Sequence, residues 1–152
     1  MGREGGSAGY CVLLAAFLGL LTCAIAPGCG KGAAPAAQDD TYVRLKKLYS
    51  LYRTYVDKNQ KGPPNEEALR EFGQKLSPQE RADRSIGDDL ENIFVSPRDK
   101  EKFVVRYNMR LDPSKNQALA WEATGRNGMR CVMLTIGYPA EYDEKTLNES
   151  KK

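Results

Sequence analysis

Few residues in this 152-residue chain are equipped for chemistry, and histidine is not among them. Its absence removes the commonest general base and the commonest zinc ligand together. Of the four cysteines, Cys11, Cys23 and Cys29 lie in or beside an apolar N-terminal run, and only Cys131 falls in the remainder. With no imidazole to activate it, Cys131 reads as a small apolar residue of a strand. Glu122 is the one acid within a strongly apolar segment and so a candidate functional acid, but opposite Trp121 it is expected to face solvent. Asp88 and Asp89 stand just before an expected helix start, where capping explains them. No Gly-x-Ser-x-Gly, phosphate-cradling glycine loop or metal-ligand spacing occurs. The expectation is a protein without catalytic, cofactor or metal residues. Its net charge of +3 comes from interleaved acids and bases. The concentrated basic stripe of a nucleic-acid binder is missing.

The cysteine with the most distinctive setting is Cys29. Residues Met1 to Tyr10 are a short polar start carrying Arg3 and Glu4, and Cys11 to Ile25 (CVLLAAFLGLLTCAI) is an uncharged apolar run. Such a run fits a signal-peptide core of about 7–15 residues better than a membrane span of about 20. Pro27 and Gly28 then break the helix, leaving the extended backbone and small side chains that a peptidase requires. Ala26-Pro27-Gly28-Cys29 resembles the lipobox of bacterial lipoproteins, with alanine where leucine is preferred and proline at an unusual place. The resemblance implies diacylglycerol on the Cys29 thiol, removal of residues 1–28, and lipid attachment to a bacterial membrane. Cys23 is the rival site, but Thr22 is a poorer predecessor than Gly28. Secretory cleavage after Ala36 and an uncleaved anchor are the alternatives. A type IV prepilin leader is excluded, since no Gly-Phe start or early glutamate accompanies the run. Gly30 lacks the aspartate that retains some lipoproteins at the inner membrane, which points to onward export. The domain is then expected in the periplasm or outside. Residues 29–40 are the lipidated cysteine and a flexible tether, of which Gly30 to Asp40 (GKGAAPAAQDD) would reach roughly 20 Å.

Positioning falls to a domain expected over residues 41–145, followed by a charged tail at 146–152, with room for one helical turn in the charged stretch from Glu141 to Lys152. Thr41 to Lys58 carries Tyr42, Leu45, Leu48, Tyr49, Tyr52, Tyr55 and Val56 at helical spacing, with Asp39 and Asp40 placed to cap it. Gly62-Pro63-Pro64 ends that helix. Asn65 starts a second, Glu66 to Lys75, and Ser77-Pro78 a third, while Asp88 to Ile93 adds a further turn. From Phe103 the period becomes two: Phe103, Val105, Tyr107 and Met109, then Leu119, Trp121 and Ala123, then Val132, Leu134 and Ile136 as inward faces. Gly125-Arg126-Asn127-Gly128 supplies hairpin chemistry, and Pro139 is expected to end the sheet. The expected fold class is α+β, a long N-terminal helix packed on a three-stranded antiparallel meander with short helices between.

Tyr49 to Leu76 and the Ser96-Pro97-Arg98-Asp99 loop entering Phe103-Val104-Val105 loosely resemble the globular part of type II secretion pseudopilins. They are also similar to small bacterial lipoproteins that pair a lipobox with such a domain. Some pseudopilins bind calcium in their last loop, which makes Glu141, Asp143 and Glu144 the nearest candidates, although acids in a charged tail are usually solvated. The pseudopilin assembly helix has no counterpart, so assembly into a pseudopilus is not implied. The functional expectation is a membrane-anchored envelope lipoprotein displaying a small interaction or assembly module, its partner an envelope protein. An envelope hydrolase or a glycan or small-ligand binder is the alternative, with a pocket expected near Trp121 or Glu122. Nucleic-acid binding in DNA uptake is the remotest reading.

Overall fold

The computed structural model describes residues 35–152, with side chains from Asp40 onward. The leader, the lipobox with Cys29 and the first part of the tether lie outside the described residues. The fold is α+β: helices combined with one antiparallel sheet of four strands in the order β1-β2-β3-β4. The helices are α1 (Pro35–Asn59), α2 (Glu66–Lys75), α3 (Pro78–Asp83) and α4 (Glu144–Ser150). The strands are β1 (Val104–Val105), β2 (Ala118–Trp121), β3 (Met129–Leu134) and β4 (Pro139–Asp143).

Helix α1 begins six residues before Thr41, so Asp39 and Asp40 lie within it and not at its cap. Its interior buries Thr41, Leu45, Leu48, Leu51, Tyr52 and Thr54. Leu51 was not on the face read from the spacing, and it is fully buried because α1 has neighbours on two sides. One side meets the sheet, and the other meets α2 and the loop beyond it, where Gly73 lets Leu51 and Leu90 close over the α2 backbone. Helix α2 is capped by Asn65, whose side chain accepts from the Ala68 N–H. Helix α3 opens with a capping box in which Ser77 and Glu80 satisfy each other's backbone donors. The turn expected at Asp88–Ile93 forms later, as a 3-10 turn at Asn92–Phe94. Asp89 accepts from the Asn92 N–H at its start, and Arg44 donates to the carbonyls of Asn92 and Val95 at its end.

Three strand expectations change. The first strand pairs only over Val104–Val105, because Asn108 adopts φ 59° and turns its N–H to the Pro63 carbonyl instead of the sheet. Phe103, Val105, Tyr107 and Met109 nonetheless all pack on the α1 side. In β2 the register slips between Ala118 and Ala120. This bulge sends Leu119 and Ala120 into the α1-side core, while Ala118 and Trp121 join a second core on the opposite side. In β3 it is Cys131 and Met133 that face the α1-side core, and Val132 and Leu134 that face the other. Ile136 is not inward at all; it stands 44% exposed on the turn after β3.

Pro139 starts a fourth strand where the sheet was expected to end, and β4 pairs antiparallel with β3 from Met133–Pro139 to Met129–Asp143. Proline is tolerated there as the first residue of an edge strand. The chain then enters α4, capped by Asp143 on the Thr146 N–H, through residues read as a charged tail. Leu147 of α4 is fully buried against Trp121, Val132 and Leu134. Lys151 lies over the Trp121 ring at 4.9 Å. The sheet is therefore covered on both faces.

The joint between α1 and the segment after β1 is made by Tyr52. Its hydroxyl donates toward the carbonyls of Met109 (3.0 Å) and Arg106 (3.2 Å) and accepts from the Met109 N–H (3.1 Å). Burial, partly offset by the Met109 backbone and Arg106, pushes the phenol from 10.0 up to about 12. Burial raises Tyr107 as well. A phenol raised on folding keeps its proton after the unfolded chain has lost it. Its contribution to stability is thus complete below pH 10 and is lost as pH climbs toward 12. The loss expected from Tyr52 is roughly 2–3 kcal/mol over that window. Urea midpoints measured from pH 9 upward should fall, and Tyr52→Phe should flatten the decline; an equal decline in that variant would assign it elsewhere.

Candidate functional site

The chemistry-bearing residues of the domain converge on a buried ionic cluster beneath the Ser96-Pro97-Arg98-Asp99 loop. Ser96 is fully buried; its Oγ accepts from the N–H groups of Arg98 (3.1 Å) and Asp99 (3.3 Å) and donates to Glu122 Oε1 (2.8 Å). The other oxygen, Glu122 Oε2, accepts from the Cys131 N–H (2.8 Å). Arg98 reaches across β3 and β4, donating through Nη1 to Glu141 (2.7 Å) and through Nη2 to the Met129 carbonyl (2.7 Å). Its Nε lies 3.3 Å from Glu122 Oε2, an ionic contact whose alignment leaves Nε without a hydrogen bond. The side chains of Arg98 and Glu122 are 6% and 0% exposed. Asp99 completes the loop by accepting from the N–H groups of Thr124, Gly125 and Glu101. Burial would raise its carboxyl, but those backbone donors outweigh it and hold the group below its ordinary range.

Glu122 is therefore inside the protein, not on the solvent side where the strand alternation put it. The bulge at Leu119 shifts the alternation of β2, and the loop carrying Arg98 covers the position beyond Trp121. Cys131 sits against the same cluster, with Arg98 Nη1 3.3 Å from its sulfur. Burial first, and then the nearby Glu122 charge, push its thiol up to about 12. A thiol held protonated to that pH, and fully buried, behaves as a packing group and not as a nucleophile. Trp121 is 7% exposed under α4. Neither Trp121 nor Glu122 lines any of the grooves described below. Sequence reasoning singled out Glu122 but missed Ser96 and Arg98 as its partners; the available signal was a lone acid in an apolar segment, which demands a buried counter-charge.

The acids considered for calcium are separated. Glu141 pairs with Arg98, Asp143 caps α4, and Glu144 pairs with Arg130 at 2.8 Å. Among the described residues no group of three or more acids, cysteines or histidines is arranged to hold a metal ion. Asp88 and Asp89 are engaged with Arg81 and Asn92. Cys29 lies outside the described residues.

A second feature is open to solvent. Tyr49, Arg53, Val56 and Asp57 of α1, Leu111 and Pro113 of the loop before β2, and Thr135 and Ile136 of the β3–β4 turn line a groove of about 220 Å³. Leu111 and Pro113 also border a shallower depression with Arg110 and Lys115. The β3–β4 turn is held in place by Gly137 (φ 82°), whose backbone lies so close to Tyr49 that a Cβ there would come 2.7 Å from its ring. The Tyr49 hydroxyl donates to the Thr135 carbonyl at 3.4 Å. Ile136 is 44% exposed, and Tyr138, two residues further along the turn, is 69% exposed.

Comparison with protein-family models, with curated proteins and with solved structures finds no match to this chain. Among the described residues no helix is long and apolar enough to cross a membrane.

Proposed function

We propose that this chain is a lipoprotein of the bacterial cell envelope, cleaved before Cys29 and lipid-anchored there, whose α+β domain is an interaction module and not an enzyme. The observation that carries this reading is the Ala26-Pro27-Gly28-Cys29 motif directly after an uncharged apolar run of signal-peptide length. The domain layout we propose is a long N-terminal helix as one layer, resting on the antiparallel meander with short helices between. The start of α1 at Pro35 bears on the competing readings. Cleavage after Ala36 would cut inside the first turn of that helix, which disfavours release as a secreted protein. It also shortens the tether to the stretch between Cys29 and Pro35, whose full extension is about 20 Å. A domain held that near the bilayer meets partners in the envelope first. Two or three acyl chains on one cysteine hold a protein on a bilayer almost permanently, where one chain binds only weakly.

The test is mass spectrometry of the full chain expressed in a bacterium and recovered from membranes. The expected N-terminal peptide begins at Cys29 and carries diacylglycerol, with or without an amide-linked acyl chain. Cys29→Ser should accumulate as uncleaved precursor with no acyl mass. A mature N-terminus beyond Cys29 with no acyl mass would reject the anchor.

A further inference from the structure

We infer that the hairpin tip Asn127–Gly128 is a site of spontaneous covalent modification, where the asparagine closes on the next nitrogen, sheds ammonia and becomes aspartate or isoaspartate. Asparagine is among the thermolabile residue types. Its amide carbon is one five-membered ring closure away from the nitrogen of the following residue, and a side chain on that residue obstructs the approach. Asn127 is the one asparagine of this chain that precedes glycine. Both residues are exposed, and a Cβ added at Gly128 would meet nothing within 4 Å. The nitrogen is therefore unshielded by its own residue and by its surroundings.

The Asn127 side chain is free as well. Among the described residues, Asn59, Asn65, Asn92, Asn108 and Asn148 commit their side-chain amides to hydrogen bonds, whereas Asn116 and Asn127 do not. Asn116 is also exposed but precedes Gln117, which makes it an internal comparison.

Little holds the tip closed. The φ angles of 53° and 75° define a type I′ turn, pinned by the Arg126 N–H on the Met129 carbonyl (2.8 Å) and the Met129 N–H on the Arg126 carbonyl (3.0 Å). Behind it, Thr124 and Gly125 give their N–H groups to Asp99 and not across the hairpin. Two hydrogen bonds at an exposed tip separate the closed turn from an open one, and openings of that size lie at the low end of the local unfolding scale.

In the open turn the Gly128 nitrogen, losing its proton, attacks Asn127 Cγ. The Cγ–Nδ2 bond breaks, ammonia carries that proton away, and a cyclic imide remains. Water then opens the imide. Hydrolysis at Cγ gives aspartate; hydrolysis at the main-chain carbonyl carbon gives isoaspartate, whose backbone runs through Cβ and Cγ and is one atom longer. That extra atom falls inside a two-residue turn and unpairs Arg126 from Met129. The Met129 carbonyl also accepts from Arg98 Nη2 at 2.7 Å, so the change reaches the buried ionic cluster.

The test incubates the full chain, purified in detergent, in mildly alkaline buffer and maps its peptides by mass spectrometry. Conversion is expected at Asn127 well ahead of Asn116, and faster as pH rises, because the attacking nitrogen must lose a proton. Gly128→Ala should slow it about tenfold or more. Asn127→Gln, which would have to close a six-membered ring, should stop it. The isoaspartate fraction, separated by ion exchange, should unfold at lower urea than the parent, while Asn127→Asp, with an ordinary backbone, should stay near it. Conversion no faster than at Asn116, or undiminished in Gly128→Ala, would overturn the site. An isoaspartate fraction as stable as the parent would overturn its reach to the cluster. Neither measurement depends on lipid at Cys29, so failure here and failure of the anchor are distinct results.

Discussion

Replacing Glu122 by alanine is expected to destabilise the domain by about 3–5 kcal/mol, the cost of removing one partner from a buried charge pair. Three groups lose their partner at once. The Ser96 hydroxyl and the Cys131 N–H lose their acceptor, and Arg98, 6% exposed, loses the charge it faces in the interior. Glu141 still binds Arg98, but from the more open end, at 31% exposure. Small domains are stable by only about 5–15 kcal/mol, so the alanine variant should unfold at far lower urea than the parent. Glu122→Gln keeps the shape and one acceptor and should fall between the two. Combining Glu122→Leu with Arg98→Met should recover part of the loss, because both interior charges go together and Glu141, which then loses Arg98, stands 31% exposed. An alanine variant within about 1 kcal/mol of the parent would show that water reaches the cluster and compensates it.

Gly62→Ala carries the second large expectation, for a steric reason. Gly62 is buried where the chain leaving α1 crosses the segment after β1. A Cβ there would lie 2.3 Å from the Met109 carbonyl oxygen, 2.6 Å from the Met109 nitrogen and 2.8 Å from the Tyr52 hydroxyl. Two of those atoms are backbone and cannot rotate aside, and all three belong to the Tyr52 joint. Either Met109 moves and the tyrosine loses its hydrogen bonds, or the Pro63 carbonyl leaves the Asn108 N–H. Overpacking of this kind costs about 3 kcal/mol, and the melting temperature should drop by about 10 °C. Gly128→Ala is the informative control. Its φ is 75° but nothing lies within 4 Å of the added Cβ, so only the cost of the left-handed backbone, about 1–2 kcal/mol, should appear. Equal losses at the two glycines would remove the steric account.

What the sequence made legible follows the range of the interaction involved. Helix α2 and the start of α3 were placed to the residue because their caps, Asn65 with Ala68 and Ser77 with Glu80, are settled within three positions. Asn127 and Gly128, at φ 53° and 75°, likewise mark the hairpin turn that their residue types demand. The faces of β2 and β3 were not legible, although that of the Phe103–Met109 segment was. An alternation rule assumes a wet face and a regular register, whereas β3 is buried on both faces and β2 carries a bulge. Glu122 was misplaced for the same reason. Its partner Ser96 is 26 positions away and Arg98 sits in an irregular loop, so nothing local announces the pairing. The groove was invisible because it exists only where α1, the Leu111 loop and the Ile136 turn meet.

The seating of Leu147 has a consequence for how the domain is made. The second face of the sheet presents Ala118, Trp121, Val132 and Leu134, and the side chain that closes it arrives with α4, the last helix in the described chain. A chain interrupted before Glu144 would hold every strand and still display that apolar face to its surroundings. Quality-control proteases and chaperones recognise just such exposed surface, so α4 decides whether the second face of the sheet is hidden from them.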